Sequence, residues 1–403
     1  MKRQLAHTLL GKRILLMLMA CLTMIGCKQT DLPEPEPQPT KARKTIIVYM
    51  CAENSLDEYK EPDIREIMQV AQDIPKDCNF VIYVDDAGFP YMQVVTESNP
   101  EHKESMAERN SADPKEFGAI LDKITTRYPA ETYSLVMWSH ASGWVPANIT
   151  PRQRSFGIDN ERNNQSNYGS KMDIWDMRKE IQRLGLHFDF ILFDACFMQC
   201  IESTYELRDV ADYIIASPAE IPANGAPYHE IMSGLTGDGE KAVEDIVNKY
   251  YAHYSSMNGT LDGMTGLIIS AYKTSELDNL LNLTRQLLPD YYDIAPRIST
   301  LGVQQYGVFK SSFYNEYFDL GSLMNRLLSG PEYEKWMNQL RRTAVFRQFT
   351  NRWSTGYSVL SPEIVDAEHL SLCSIFVPNA KYDYDTNYNE AIKQTQWYQN
   401  YVK

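Results

Sequence analysis

Apolar residues in this chain come in short unbroken runs, separated by stretches with helical spacing. Residues 45–50, 79–84, 134–138, 188–193 and 213–216 are dominated by β-branched, aromatic and aliphatic side chains. Between them, Ile64, Ile67, Met68 and Ala71 recur at intervals of three and four, as do Ile174, Met177, Ile181 and Leu184; residues 117–124 also read as a helix. Runs without polar alternation suit strands covered on both faces. Strands alternating with helices of about ten residues predict βαβ units and a parallel sheet. Residues 91–96 fit a short strand in a hairpin. Beyond about residue 227 the pattern changes to longer helices, at 245–256 and 275–288, with later strands at 267–269 and 372–377. Residues 148–171 are rich in Arg, Asn, Gln and Ser and read as a long exposed loop. The fold class is therefore α/β, with a mostly parallel sheet and a more helical C-terminal part.

The N-terminus adds a targeting segment. Lys2, Arg3, Lys12 and Arg13 form a positive region, and residues 14–25 are apolar but too short to span a bilayer. The run ends at Met24-Ile25-Gly26-Cys27, which resembles a bacterial lipobox, with Cys27 as the lipidated residue; the competing reading is plain secretion with cleavage near Ala20. Residues 31–40 carry Pro33, Pro35, Pro37 and Pro39 among Glu and Gln, a composition that favours an extended tether. A location in the bacterial cell envelope is expected, lipid-anchored at the outer membrane or cell surface.

The net charge is −14 with 39 basic and 53 acidic residues among 403, and no basic stripe is present to track phosphates. Nucleic acid is excluded as an expected partner. Seven cysteines are present. With Cys21 in the signal and Cys27 at the lipobox, Cys51, Cys78, Cys196, Cys200 and Cys373 remain. An odd count does not suggest a disulfide framework. Cys196 and Cys200 have the spacing Cys-x3-Cys without a second pair, so no zinc or other metal site is expected from them.

Chemistry concentrates at two strand ends. Trp138-Ser139-His140-Ala141-Ser142-Gly143-Trp144 follows one apolar run, and Phe193-Asp194-Ala195-Cys196-Phe197 follows another. A His and a Cys on strand tips of a parallel sheet are the parts of a cysteine hydrolase. Cys196 is the candidate nucleophile, with helical spacing starting just after it, where a helix N-terminus would favour the thiolate. The alternative is a small buried apolar residue. His140 is the candidate general base, against the alternative of a hydrogen-bonded core histidine. Backbone N–H groups at Ala141 and Cys196 are candidates for an oxyanion hole. Cys200 reads as structural. The pair Asp85-Asp86 fits a cation or an acid role less well than a solvated loop. No GxSxG elbow, phosphate loop or HExxH helix is present. Late Tyr and Trp residues fit core packing better than carbohydrate binding.

These segments resemble the clostripain family of cysteine peptidases, caspase-like proteins of clan CD. Residues 135–140 are similar to its His strand, Ser142-Gly143-Trp144 to the turn after it, and residues 190–198 to its nucleophile strand. Residues 202–208, 212–220 and 374–378 continue the likeness. The resemblance, which runs from about Thr45 to the end, implies a caspase-like three-layer α/β/α sandwich with a catalytic core at 44–230 and a helical C-terminal region with closing strands at 231–403, after the signal peptide at 1–27 and the tether at 28–43. It implies a His140/Cys196 dyad that cleaves peptide or protein substrates, typically after Arg or Lys. Asp194 matches an acidic position near the specificity pocket. Ala141 stands where the family usually has Gly. Asn224 stands where Arg-cutting members carry an acid, which leaves Asp194 and Glu220 to recognise a base. Members often mature by self-cleavage after the His, here expected near Arg154 within 148–171. No cofactor is expected; calcium serves some members, but no pattern here specifies a site. The alternative from another class is a catalytically inactive surface lipoprotein that binds peptide or glycan, favoured by Ala141 and Asn224.

Overall fold

The central strand shows how one sequence run serves two cores. In β1 (Ala42–Cys51), Ile46, Val48 and Met50 enter one apolar cluster and Ile47, Tyr49 and Cys51 enter another. That division is the two-residue period of a strand covered on both faces. The same alternation divides Val136 from Leu135, Leu192 from Ile191 and Ile215 from Ile214. The structure is a computed structural model that describes residues 41–96, 102–147, 155–160, 169–256, 266–307, 317–353, 363–380 and 387–403. Lys41–Lys403 forms one compact unit distinct from Met1–Thr40. The signal, residues 28–40 of the tether, Cys27 and Arg154 lie outside the described residues, whereas Ala42 and Arg43, expected in the tether, already belong to β1.

In chain order β1 is followed by β2 (Cys78–Asp85), β3 (Tyr91–Val95), β4 (Lys103–Ser105) and β5 (Ala130–Trp138). Next come β6 (Phe156–Asp159), β7 (Ser170–Met172), β8 (Phe188–Asp194), β9 (Ala211–Ala216) and β10 (Ile268–Lys273). The last three are β11 (Phe318–Asp319), β12 (Ala344–Phe349) and β13 (Ser374–Ile375). Nine of them form one sheet in the order β12-β10-β9-β8-β5-β1-β2-β3-β4. Its middle, β2-β1-β5-β8-β9, is parallel, and the flanking pairs are antiparallel. From β1 the chain runs first to β2 on one side and then to β5 on the other. The crevice at the carboxyl ends of β1 and β5 is thus a topological switch point, where open α/β sheets place ligands.

Helices α1 (Lys60–Gln69), α2 (Pro114–Arg127), α3 (Ile174–Arg183), α4 (Ile201–Glu206), α5 (Tyr228–Thr236) and α6 (Gly239–Ser256) accompany this sheet. Ile64 and Ile67 of α1, Ile231 and Leu235 of α5, and Ile246 and Tyr250 of α6 pack on one face. Phe117 and Leu121 of α2 and Met177 and Ile181 of α3 pack on the other. Helix α2 begins where Asp113 accepts hydrogen bonds from the Lys115 and Glu116 N–H groups, with Pro114 in its first turn. The result is the three-layer α/β/α architecture. A third core, built around Leu281, Leu323, Trp336, Leu340 and Trp397, gathers the later helices beside Tyr272 of β10 and Ala344 of β12.

Two expectations change. Residues 155–159 are not an exposed loop: all five are buried, and β6 pairs with β7 as an antiparallel hairpin. The short apolar alternation Phe156, Ile158 is enough to dock there because a neighbouring core is available. The late run at 372–377 contributes only the two residues of β13, paired with β11 outside the main sheet. Among the described residues no helix is long and apolar enough to cross a membrane.

Candidate active site

Strands β5 and β8 are parallel neighbours whose last paired rung is Trp138 with Asp194. His140 lies two residues past that rung on one strand and Cys196 two residues past it on the other. Neighbouring strands lie about 4.8 Å apart, so the register brings the two tips side by side. Both residues are intermediate in exposure, whereas Cys51, Cys200 and Cys373 are buried. Burial pushes the Cys200 thiol up to about 12 and the Cys51 thiol well above its ordinary value, so neither carries thiolate at neutral pH.

The chain after Cys196 does not enter a helix at once. Helix α4 starts at Ile201, and Phe197 takes a left-handed backbone, φ 61°. A non-glycine residue there costs about 1 kcal/mol or more and is held only by its surroundings. The Phe197 N–H donates to the Ala219 carbonyl at 3.0 Å, and the Gln199 N–H donates to the Ser217 carbonyl at 2.9 Å. The expected helix N-terminus at Cys196 is therefore displaced by four residues, because the backbone first pairs with the segment leaving β9.

His140 is fixed from three directions. Its Nε2 shares a 2.9 Å hydrogen bond with the Ser55 hydroxyl, from the loop that follows β1. Its carbonyl accepts from the Gly157 N–H at 2.9 Å, and Ala141 bridges to Phe156. The preceding Ser139 hydroxyl donates to the Cys51 carbonyl at 2.7 Å. Gly143, φ 71°, passes against the Cys loop: a Cβ there would meet the Phe197 carbonyl at 2.8 Å and Cys200 Sγ at 2.9 Å. Tyr317 ties the two tips together, donating from its hydroxyl to the Ser142 carbonyl at 3.1 Å while its ring stacks on Phe197 at 4.3 Å. Nothing in the sequence pattern points to Ser55 or Tyr317, which meet the tips from distant parts of the chain.

Asp194 lies below the tips on the α1–α5–α6 face and is 3% exposed. Its carboxylate accepts from the Ala226 N–H at 3.0 Å and from the Tyr228 and Tyr250 hydroxyls at 3.0 and 3.1 Å. Gly225, φ 64°, covers it: a Cβ there would lie 2.8 Å from Asp194 Oδ2 and 3.0 Å from Asp63 Oδ2. Asp63 is also buried and accepts from the Trp138 indole N–H at 2.7 Å. Burial raises both acids, and the Asp194 charge raises Asp63 further. Three donors hold Asp194 closer to the ionised form, so the proton of this pair resides on Asp63. Glu220 is 7% exposed, and Asn224 is exposed on the loop that covers Asp194.

The adjacent tips of β1 and β2 bear a second acidic group. Ligand oxygens of Glu53, Asp85 and Glu108 lie within 4.8 Å of one another, and Asp85 is raised by burial with Asp159 nearby. Asp85 is thus buried rather than part of a solvated loop. Another group that can hold an ion is His229, Glu230 and His253.

A mostly parallel α/β sheet with a His and a partly exposed Cys each two residues past one rung at its carboxyl edge has the architecture that cysteine hydrolases use, and the comparisons give the family. Residues 48–403 match the clostripain family, peptidase C11. An inactive zymogen C11 protease from Parabacteroides distasonis is similar at 28% identity with a TM-score of 0.76, covering 91% of this chain and 99% of that one. A secreted C11 cysteine protease from Bacteroides thetaiotaomicron, solved with an irreversible peptide inhibitor, matches at 27% identity and a TM-score of 0.76, covering 89% and 99%. Clostripain of Hathewaya histolytica is 26% identical over 149 residues, 35% of this chain and 28% of that enzyme's length. The chain belongs to the clostripain family of cysteine endopeptidases.

Proposed function

We propose that this protein is a cysteine endopeptidase in which Cys196 is the nucleophile and His140 the general acid–base. The observation that carries the reading is the register of β5 and β8, which sets both residues two positions past one rung at the carboxyl edge of the sheet. In the proposed reaction the Cys196 thiol gives its proton to His140 while Sγ bonds to the carbonyl carbon of the substrate and the C=O π pair moves to oxygen; the developing oxyanion accepts from the N–H groups of Ala141 and Cys196. The C–N bond breaks, and His140 delivers the proton that the leaving amine requires. Water then attacks the thioester, releasing the new carboxylate and restoring the thiol.

The finer reading is cleavage after Arg or Lys. Asp194 supplies charge from beneath Gly225, and Glu220, four residues past the end of β9, is the second acid of the proposed pocket. Because Asp194 already accepts from three donors, it acts as a fixed negative centre rather than as a bidentate clamp on a guanidinium. Self-cleavage near Arg154 fits the same preference, and it would free Ser155, whose hydroxyl donates to Asp173 at 3.0 Å. Lipidation at Cys27 would hold the enzyme at the cell envelope, consistent with the secreted C11 relative.

A fluorogenic peptide library varied at the residue before the scissile bond tests the reading, with wild type compared against Cys196→Ala, His140→Ala and Asp194→Asn. Hydrolysis should vanish in Cys196→Ala and fall by about 10²–10⁴ in His140→Ala. Asp194→Asn should lose the preference for Arg and Lys. Hydrolysis after other residues would discard the basic pocket alone. No hydrolysis, even after nicking of residues 148–171 by trypsin, would favour the binding-protein alternative.

A further inference from the structure

We propose that His229, Glu230 and His253 form a binding site for Zn2+, with Glu66 as the carboxylate that orients His229. The site is separate from the His140 and Cys196 tips and does not depend on the peptidase reading. His229 and Glu230 open helix α5, His253 lies in the last turns of α6, and Glu66 is on α1.

The geometry is close to that of a metal centre. Tetrahedral zinc with bonds of about 2.0–2.1 Å sets its ligand atoms about 3.3–3.4 Å apart. Here Glu230 Oε1 lies 3.6 Å from His229 Nε2 and 2.9 Å from His253 Nδ1. These separations bracket the required edge, and all three ligand atoms fall within 4.8 Å of one another. Small side-chain rotations suffice to admit the ion.

A second observation is independent of the ligand atoms. The other ring nitrogen of His229, Nδ1, lies 2.9 Å from Glu66 Oε2, close enough to pair although the two atoms are not aligned as a hydrogen bond. Metal-ligating histidines almost always present their second nitrogen to a carboxylate or carbonyl, which fixes the tautomer and aims the free nitrogen at the ion. Here the rotation of the His229 ring that admits the ion would align Nδ1 with Glu66 while Nε2 faces Glu230, 3.6 Å away. Two imidazoles and one carboxylate suit a borderline ion such as Zn2+ rather than Ca2+ or Mg2+, which take oxygen ligands. Glu66 and Glu230 supply two negative charges against the two positive charges of the ion. With the three side chains only partly buried, water has access to the fourth position.

The placement gives the ion a structural consequence. Glu66 is one helical turn from Asp63, His229 follows Tyr228, and the His253 ring contacts the Tyr254 ring at 4.9 Å. Tyr228 donates to Asp194 and Tyr254 donates to the Gly225 carbonyl. An ion here ties together the three helices that support the loop over Asp194.

The test is Zn2+ and Co2+ titration of untagged, EDTA-stripped Cys196→Ala protein, which removes the nucleophilic thiol as a competing ligand. Calorimetry, the Co2+ visible absorption of a tetrahedral nitrogen–oxygen site, and the melting temperature are the readouts. One equivalent should bind and raise the melting temperature by mass action. His229→Ala and His253→Ala should each remove the bound equivalent, and Glu66→Gln should weaken it by about 10–100-fold with unchanged stoichiometry. The proposal is overturned if wild-type ligands bind no more ion than the His229→Ala/His253→Ala double variant. It is equally overturned if Glu66→Gln, folded by circular dichroism, binds as tightly as its parent.

Discussion

At the scale of single residues, the site depends on side chains that reach it from elsewhere in the chain. Ser55 is the hydrogen-bond partner of His140 Nε2, so Ser55→Ala should let the imidazole rotate. We expect kcat per titrated active site to fall about tenfold, the ~1.4 kcal/mol of one hydrogen bond, with KM nearly unchanged; a loss confined to the number of active sites, with kcat per site unchanged, would show that Ser55 acts on folding instead. The Asp63–Asp194 pair governs pH dependence. Both acids are raised by burial, so the native state binds more protons than the unfolded chain. The stability they contribute is complete below the ordinary value of 3.8 and is lost as pH rises through their folded values. Asp63→Asn keeps an acceptor for the Trp138 indole and removes the ionisation. Its melting temperature should change less than that of wild type between about pH 5 and 8, and parallel curves would remove Asp63 as the source. His140 and Cys196 were legible because reactive side chains stand at the ends of otherwise apolar runs. Ser55, Asp63 and Tyr317 were not, because their partners are brought near only by folding.

At the scale of elements, two tight backbone passages hold the His and Cys tips together. Gly143→Ala should cost both the left-handed strain and a clash with the Phe197 carbonyl. Gly185 has a similar φ of 66° with nothing within 4 Å of its absent Cβ, so Gly185→Ala isolates the strain alone, about 1 kcal/mol. Chemical denaturation should show Gly143→Ala to be the more destabilised by at least another ~1 kcal/mol. Equal losses would mean that the approach of the Gly143 turn to the Cys loop is not tight in solution. The elements themselves were readable to different degrees. Strands buried on both faces appear as continuous apolar runs, which is why β1, β2, β5, β8 and β9 stood out. The hairpin strand at Phe156–Asp159 was hidden, since four residues with one alternation resemble a loop until a core exists to receive them. The start of α4 was misplaced for a related reason: the backbone after Cys196 pairs with Ser217 and Ala219, and no local signal records that pairing.

At the scale of the whole molecule, the segment carrying the expected self-cleavage point sits between two elements that remain bound to the sheet. β5 and β8 are paired directly, so a break near Arg154 should leave two fragments that separate on a denaturing gel yet elute together on a sizing column. Arg154→Ala should remain a single chain; if it is still cut at the same rate and place, the processing lies elsewhere or comes from another protease. The sequence by itself determined the α/β class, the strands that form the middle of the sheet, and the two chemistry-bearing tips, because periodicity and burial are local consequences of side-chain chemistry. Strand order, register and the helices gathered on one face were decided only by the tertiary structure. They depend on packing between residues far apart in the chain. That packing sets His140 and Cys196 past a common rung, closes Gly225 over Asp194, and brings Glu66 to His229.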